Sequence, residues 1–154
     1  MELKLAASEF LKQKRIAVVG YSRNPAETAN AIFKKFQDNG YEVFAVNPAV
    51  ERVDGVTCYA SVKDIPGGVG AAMLVTTPEV SSIVARDCVE SGVKWVWMHR
   101  SFGDSVSAEA AQYLRGNHVG VIPGGCPMMF LDADPAHKAM CWMLQLVGRV
   151  PRAV

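Results

Sequence analysis

An α/β fold of the doubly wound kind is predicted, a mainly parallel sheet of five to six strands with helices on both faces, and two observations predict it. Ile16 to Val19, Val43 to Val46, Ala71 to Val75, Trp95 to Met98 and Val119 to Ile122 are near-continuous apolar runs of strand length. Such runs belong to parallel strands covered on both faces, not to a sheet with one wet side. Between them the period becomes helical: Ala29, Ile32, Phe33 and Phe36, then Val80, Ile83, Val84 and Cys88, each set followed by a glycine (Gly40, Gly92) that suits a left-handed C-cap.

Taken in order, Ser8 is expected to cap a short leading helix through Phe10 and Leu11. The first strand breaks at Gly20-Tyr21-Ser22-Arg23-Asn24-Pro25. There Asn24, Pro25 and Glu27 have the residue types of a helix start: an amide that accepts from free main-chain donors, a first-position proline and a capping-box acid. The stretch Val56 to Pro66 reads as a short strand or turn and then a brief helix near Ser61 to Asp64, which makes one crossover abbreviated. A closing helix over 134–148 carries Asp134 as cap, Pro135 in its first turn and Gly148 at its end. Met140, Trp142, Met143, Leu144, Leu146 and Val147 cover more than one stripe of it, so it is either deeply packed or shared with a second copy in a homodimer. The alternation is that of a Rossmann-like sheet.

With 154 residues, half of them hydrophobic, and no Ser/Pro-rich linker, the chain is expected to be one domain over 1–154, with its core over 15–129. A net charge of +1 with scattered Lys and Arg points away from nucleic acid and from a membrane surface, toward small molecules or protein partners. Cys58, Cys88, Cys126 and Cys141 form no C-x-x-C pair, and His99, His118 and His137 have no zinc spacing, so no metal is expected. Glu2 and Lys4 precede any apolar run, unlike a secretory signal, and no stretch approaches bilayer length. The expected place is the cytoplasm, with reduced thiols.

Three strand-like runs end in short polar breaks: Gly20 to Pro25, Asn47-Pro48 and Thr76-Thr77-Pro78. In an open α/β sheet these gather outside the carboxyl ends of the strands, where ligands bind. Gly20 permits a tight turn and a close main-chain approach, and a helix N-terminus with the Ser22 hydroxyl and the Arg23 guanidinium beside it offers donors and positive potential to a diphosphate. Glu27 opposes an anion there unless its carboxylate turns into the cap. The break is not the dinucleotide fingerprint G-x-G-x-x-G, since Ser22 and Pro25 stand where glycines would, and Asn47-Pro48 replaces the strand-two acid that holds an NAD ribose. Arg52, a few residues on, has the charge to pair with a ribose phosphate.

Several motifs then match in order: G-x-S-x-x-P at Gly20, Ser22 and Pro25, N-P at Asn47 and Pro48, G-V-x-x-Y at Gly55, Val56 and Tyr59, T-P-E at Thr77 to Glu79, V-W-M at Val96 to Met98 and C-P at Cys126 and Pro127. Over Arg15 to about Met129 the chain resembles the coenzyme A-binding protein family, whose fold is like the N-terminal domain of the succinyl-CoA synthetase alpha subunit. The resemblance implies CoA lying across the strand ends, its diphosphate near Ser22 and Arg23, its adenosine near Asn47 and Pro48, and its pantetheine arm running past Thr76 to Pro78 toward Met98. The cofactor-binding set is then Gly20, Tyr21, Ser22, Arg23, Asn47, Pro48, Thr76, Thr77, Pro78, Val80, Met98 and His99, with no catalytic and no metal residue assigned. The chain departs from the family pattern at His99 to Phe102, where Gln and Pro-Gly are usual, at Gly124-Gly125 and near Gly70. The resemblance brings no ATP-grasp partner and no phosphohistidine region, which argues against a complete acyl-CoA ligase.

His99 and Cys126 fall at the ends of neighbouring strands, where an imidazole could activate a thiol for exchange with the CoA sulfur, or simply line and pack the rim. The leading reading is a cytoplasmic protein that binds CoA or a short acyl-CoA noncovalently as a carrier, sensor or subunit. Two other classes stay open: an NAD(P)-dependent oxidoreductase, and an interaction module with a vestigial nucleotide pocket that works through its Met/Trp-rich closing helix.

Overall fold

The computed structural model describes residues 1–100, 104–131 and 135–154. Its elements run α1 (Leu3–Leu11), β1 (Arg15–Val19), α2 (Thr28–Asp38), β2 (Glu42–Val46), β3 (Arg52–Val53), β4 (Val56–Tyr59), β5 (Ala71–Leu74), α3 (Pro78–Glu90), β6 (Trp95–Met98), α4 (Ala108–Gly116), β7 (Gly120–Pro123) and α5 (Pro135–Leu146). Seven strands form one sheet in the order β3-β4-β2-β1-β5-β6-β7. From β4 to β7 every pairing is parallel, so the order reverses between β1 and β5, as in a Rossmann-like fold.

The central strands are buried on both faces because their side chains alternate between two cores. Ile16 and Val18 of β1 face a layer built by α1, α2 and α5, where Phe10, Phe36, Trp97 and Leu144 pack. Ala17 and Val19 face the layer of α3 and α4, with Ala85, Cys88, Val96 and Leu114. Trp97 is fully buried, meets the Phe10 ring edge-on at 5.3 Å, and its indole N–H donates to Gly124 O at 2.8 Å. The polar end of that large ring is thus satisfied, the condition on which burying it stabilises the fold.

The strand count exceeds five to six because of β3, a two-residue edge strand antiparallel to β4. It folds back through Asp54 (φ 45°) and Gly55 (φ 80°), an Asp-Gly pair of the kind that makes tight hairpins. The abbreviated crossover is present, a 3-10 turn over Val62–Asp64 in which Ser61 Oγ accepts from Lys63 N at 3.2 Å.

Two helix starts differ from expectation. Helix α1 begins at Leu3 with Ser8 inside it and exposed, because Leu3, Ala6, Ala7 and Phe10 form one buried stripe that fixes an earlier start. Helix α2 begins at Thr28, and Asn24-Pro25 is a turn before it: Asn24 Oδ1 accepts locally from Ala26 N at 3.1 Å, and Glu27 is the cap residue with no side-chain cap bond. At the other end, Asp134 lies outside the described residues. Helix α5 starts at Pro135, and Gly148 takes φ +73° just beyond its end. It buries Leu144 but leaves Trp142, Met143, Leu146 and Val147 half or more exposed, so it is not deeply packed. Among the described residues no helix is long and apolar enough to cross a membrane.

Candidate functional site

At the carboxyl end of the sheet, β1 and β5 lead into helices on opposite faces, and the crevice opens between them. Gly20 makes the close approach possible. It sits at φ +104°, and a Cβ there would lie 2.2 Å from Val75 O, so no residue with a side chain fits without moving backbone.

The loop after Gly20 is held from behind by one buried side chain. Asn30, on the inward face of α2, accepts from Ser22 N at 2.9 Å through Oδ1 and donates to Ser22 O at 2.8 Å through Nδ2. Asn47 Nδ2 donates to Tyr21 O at 2.8 Å, Ser22 Oγ accepts from Asn24 N at 3.0 Å, and the buried Tyr21 ring packs on Phe33 with 4.9 Å between centroids. The N–H of Ser22 is therefore occupied by protein. Those of Tyr21 and Arg23 have no protein acceptor among the described residues, and the exposed Arg23 guanidinium has no acidic partner among them.

A cavity of about 530 Å³ opens beside this loop. Gly20, Tyr21, Ser22, Asn47 and Pro48 form one wall, Ala60 to Val62 the end, and Val80, Ile83, Val84 and Asp87 of α3 the other wall. Those α3 residues recur at i, i+3, i+4 and i+7, one face of a helix. Of the periodic set Val80, Ile83, Val84 and Cys88, Cys88 is buried as core, whereas Val80 and Ile83 are 42% and 65% exposed and line the cavity, and Ser81 and Ala85 are buried in their place. Asp87 accepts from Ser61 Oγ at 2.9 Å and pairs with Lys63 at 3.4 Å, which fixes the far end of the cavity.

A second cavity, of about 400 Å³, lies across the end of β5 and shares Thr76 with the first. Glu27, Thr28, Val75, Thr77, His99, Asp104 and Ser105 complete it. Hydroxyls tie its lining at Thr76: Ser105 Oγ accepts from Thr76 N at 2.9 Å, and Thr76 Oγ1 and Ser81 Oγ are 2.8 Å apart. His99 is only 3% exposed, and burial lowers its pKa to about 4, so its imidazole is neutral at pH 7.

Cys126 packs into the core on the α1, α2 and α5 side, and burial pushes its thiol up to about 11. A thiol that keeps its proton and an imidazole this weakly basic make a poor nucleophile pair, which counters the exchange chemistry that the sequence allowed.

Of the sequence-derived set, Gly20, Tyr21, Ser22, Asn47, Pro48, Thr76 and Val80 line the first cavity, and Thr76, Thr77 and His99 the second. Arg23 stands exposed on the loop, and Pro78 opens α3 behind the cap made by Thr77. Met98 departs from the set: it is fully buried in the α3 and α4 core and lines neither cavity. Arg52 is exposed on the edge strand β3 and lines neither. Residues not singled out for the site, Asn30, Ser61, Ile83, Asp87 and Ser105, come to the rim from distant parts of the chain. Only the α3 set had a readable signal, its helical spacing.

Comparison with known proteins gives a concordant result. The chain is 34% identical over 113 residues to uncharacterized protein YneT of Bacillus subtilis, covering 73% of this chain and 82% of that one. It is 38% identical over 88 residues to the alpha subunit of an ADP-forming acetate–CoA ligase II of Pyrococcus furiosus, which is 56% of this chain but 19% of that subunit. The chain thus spans under a fifth of the length of that ligase subunit. Among solved structures, a hypothetical protein from Pyrococcus horikoshii superposes with a TM-score of 0.75 at 30% identity, over 81% of this chain and 87% of the other. The model of the CoA binding domain matches residues 14–132, the span that carries the sheet, the Gly20 loop and both cavities. This chain belongs to the CoA-binding domain family.

Proposed function

We propose that this protein binds coenzyme A or a short acyl-CoA noncovalently and acts in the cytoplasm as a carrier, sensor or subunit. The observation that carries this reading is a pair of cavities that share Thr76 in their linings, the first of them beside a loop whose Tyr21 and Arg23 main-chain donors have no protein acceptor among the described residues. Adenosine fits the apolar face of Val80, Ile83 and Val84, with its ribose toward Asn47 and Pro48. The diphosphate rests on the N–H groups of Tyr21 and Arg23 with the Arg23 guanidinium over it, and the pantetheine arm crosses Thr76 into the second cavity. Membership of the family supports the choice of CoA over other nucleotides.

An NAD(P) reading is weaker. The Asn47 amide is already spent on Tyr21 O, no acid stands there to hold a ribose diol, and Arg52 lines neither cavity. Thermal melting with CoA, acetyl-CoA, NAD, NADP and ATP tests the ordering. A ligand at a hundred times its Kd adds about 2.7 kcal/mol, which for a chain of this size raises Tm by about 5–10 °C. CoA should give that shift, and Arg23→Ala should weaken CoA about tenfold without changing the unliganded Tm. A shift with NAD and none with CoA would reverse the ordering, and no shift with any ligand would favour an interaction module working through the exposed face of α5. We also propose that this face pairs with a second copy, since Trp142, Met143, Leu146 and Val147 leave it apolar and uncovered.

A further inference from the structure

The second cavity is lined by two carboxylates, whereas the first has, among the described residues, only Asp87, which is paired with Lys63, and this difference bears on what the ligand carries at its sulfur. This inference rests on the CoA reading above. Thr76 lines both cavities, so a ligand whose nucleotide fills the first and whose arm crosses Thr76 presents its far end here. The charged side chains that line it are Glu27 and Asp104, both carboxylates, and no Lys or Arg lines it among the described residues.

The two acids are not equally compensated. Asp104 has the Arg100 guanidinium 3.6 Å away, whereas Glu27 accepts only a long 3.5 Å bond from the neutral Asn24 amide and has no cationic partner among the described residues. His99, behind them, adds no positive charge at pH 7, since burial keeps its imidazole neutral. The remaining polar groups, Thr28, Thr76, Thr77 and Ser105, are hydroxyls suited to amide and thioester oxygens.

We propose that the second cavity accepts the free thiol of CoA or a short uncharged acyl group and rejects thioesters whose acyl chain ends in a carboxylate, with Glu27 as the residue that enforces the distinction. Glu27 is solvent-exposed, so a carboxylate brought to face it is repelled by about two- to fivefold in affinity. The repulsion weakens with salt.

Isothermal titration of the purified protein with CoA, acetyl-CoA, butyryl-CoA and malonyl-CoA tests this, since butyryl and malonyl groups are similar in size and differ in charge. Acetyl-CoA and butyryl-CoA should bind within about 1.5-fold of CoA and malonyl-CoA about two- to fivefold more weakly. Glu27→Gln should recover most of the malonyl-CoA deficit relative to acetyl-CoA measured in the same variant, and high salt should shrink the deficit in the natural chain. Malonyl-CoA binding as tightly as acetyl-CoA overturns the proposal. So does a deficit that butyryl-CoA shares, or one that persists in a Glu27→Gln, Asp104→Asn double variant. A failure of CoA itself to bind overturns the parent reading, and the charge preference falls with it.

Discussion

Replacing Gly20 by alanine adds one methyl group at the narrowest point of the rim, and its cost follows from two separate terms. The backbone there has φ +104°, a conformation that side-chain-bearing residues reach only at a penalty of about 1–2 kcal/mol. The new Cβ would also lie 2.2 Å from Val75 O and 3.0 Å from Val75 C. Both are main-chain atoms beside the bond from Val75 N to Val19 O at 2.9 Å, so relief requires parting β1 from β5 and adds about 1–3 kcal/mol. The sum of about 2–5 kcal/mol corresponds to a fall in Tm of roughly 5–15 °C for this chain length. Gly40→Ala is the matched control, because Gly40 also has positive φ (+82°) but a Cβ there meets nothing within 4 Å, so it should lose only the conformational term of about 1–2 kcal/mol. Urea melts of the two variants measure the difference. If Gly20→Ala loses no more than Gly40→Ala, the close approach of the two strand ends is not what fixes glycine at this turn.

Further outcomes follow from the buried groups and the open helix face. The folded His99 holds its pKa at about 4 against an ordinary value of 6.5, so between those values the unfolded chain binds the extra proton. Stability is then full above about pH 6.5 and falls by up to about 3 kcal/mol as pH drops toward 4; urea melts across this range should show the slope, and His99→Gln should flatten it. Burial raises the Cys88 thiol to about 12 and the Cys126 thiol to about 11, while Cys141 is half-exposed and raised less. Limited alkylation at pH 7.5 read by peptide mass spectrometry should therefore label Cys141 first, and His99→Ala should leave the Cys126 rate unchanged. If the exposed face of α5 pairs with a second copy, light scattering should give twice the chain mass and Trp142→Glu should halve it; a monomer at all concentrations would rule the pairing out.

The sheet and its two cores were legible because a strand covered on both faces must be apolar throughout, as Val96 to Met98 and Ile16 to Val19 are. The site was legible where a local rule operates: Gly20 at a left-handed turn, and Thr77-Pro78 at a helix start. The edge strand β3 had a signal, Asp54-Gly55 between Val53 and Val56, but two residues a side are too short for periodicity to register. Asn24-Pro25 misled because the residue types that cap helices also close local turns, and only the packing of Ala29 and Ile32 decides where α2 begins. Met98 shows a different limit: the family resemblance implies it at the far end of the pantetheine arm, whereas strand alternation turns its side chain into the α3 and α4 core. What no local pattern contains is the meeting of Ser61 with Asp87, or of Asn30 with Ser22, since each pairs residues that only the tertiary fold brings together.

The pair of hydrogen bonds between Asn30 and Ser22 has a thermodynamic consequence. Because Ser22 is held at both its N–H and its C=O from inside the molecule, this segment has already given up its freedom before any guest arrives. Association then carries little ordering cost at this corner, and the heat-capacity change on complex formation reports the apolar surface covered, not folding of the receptor.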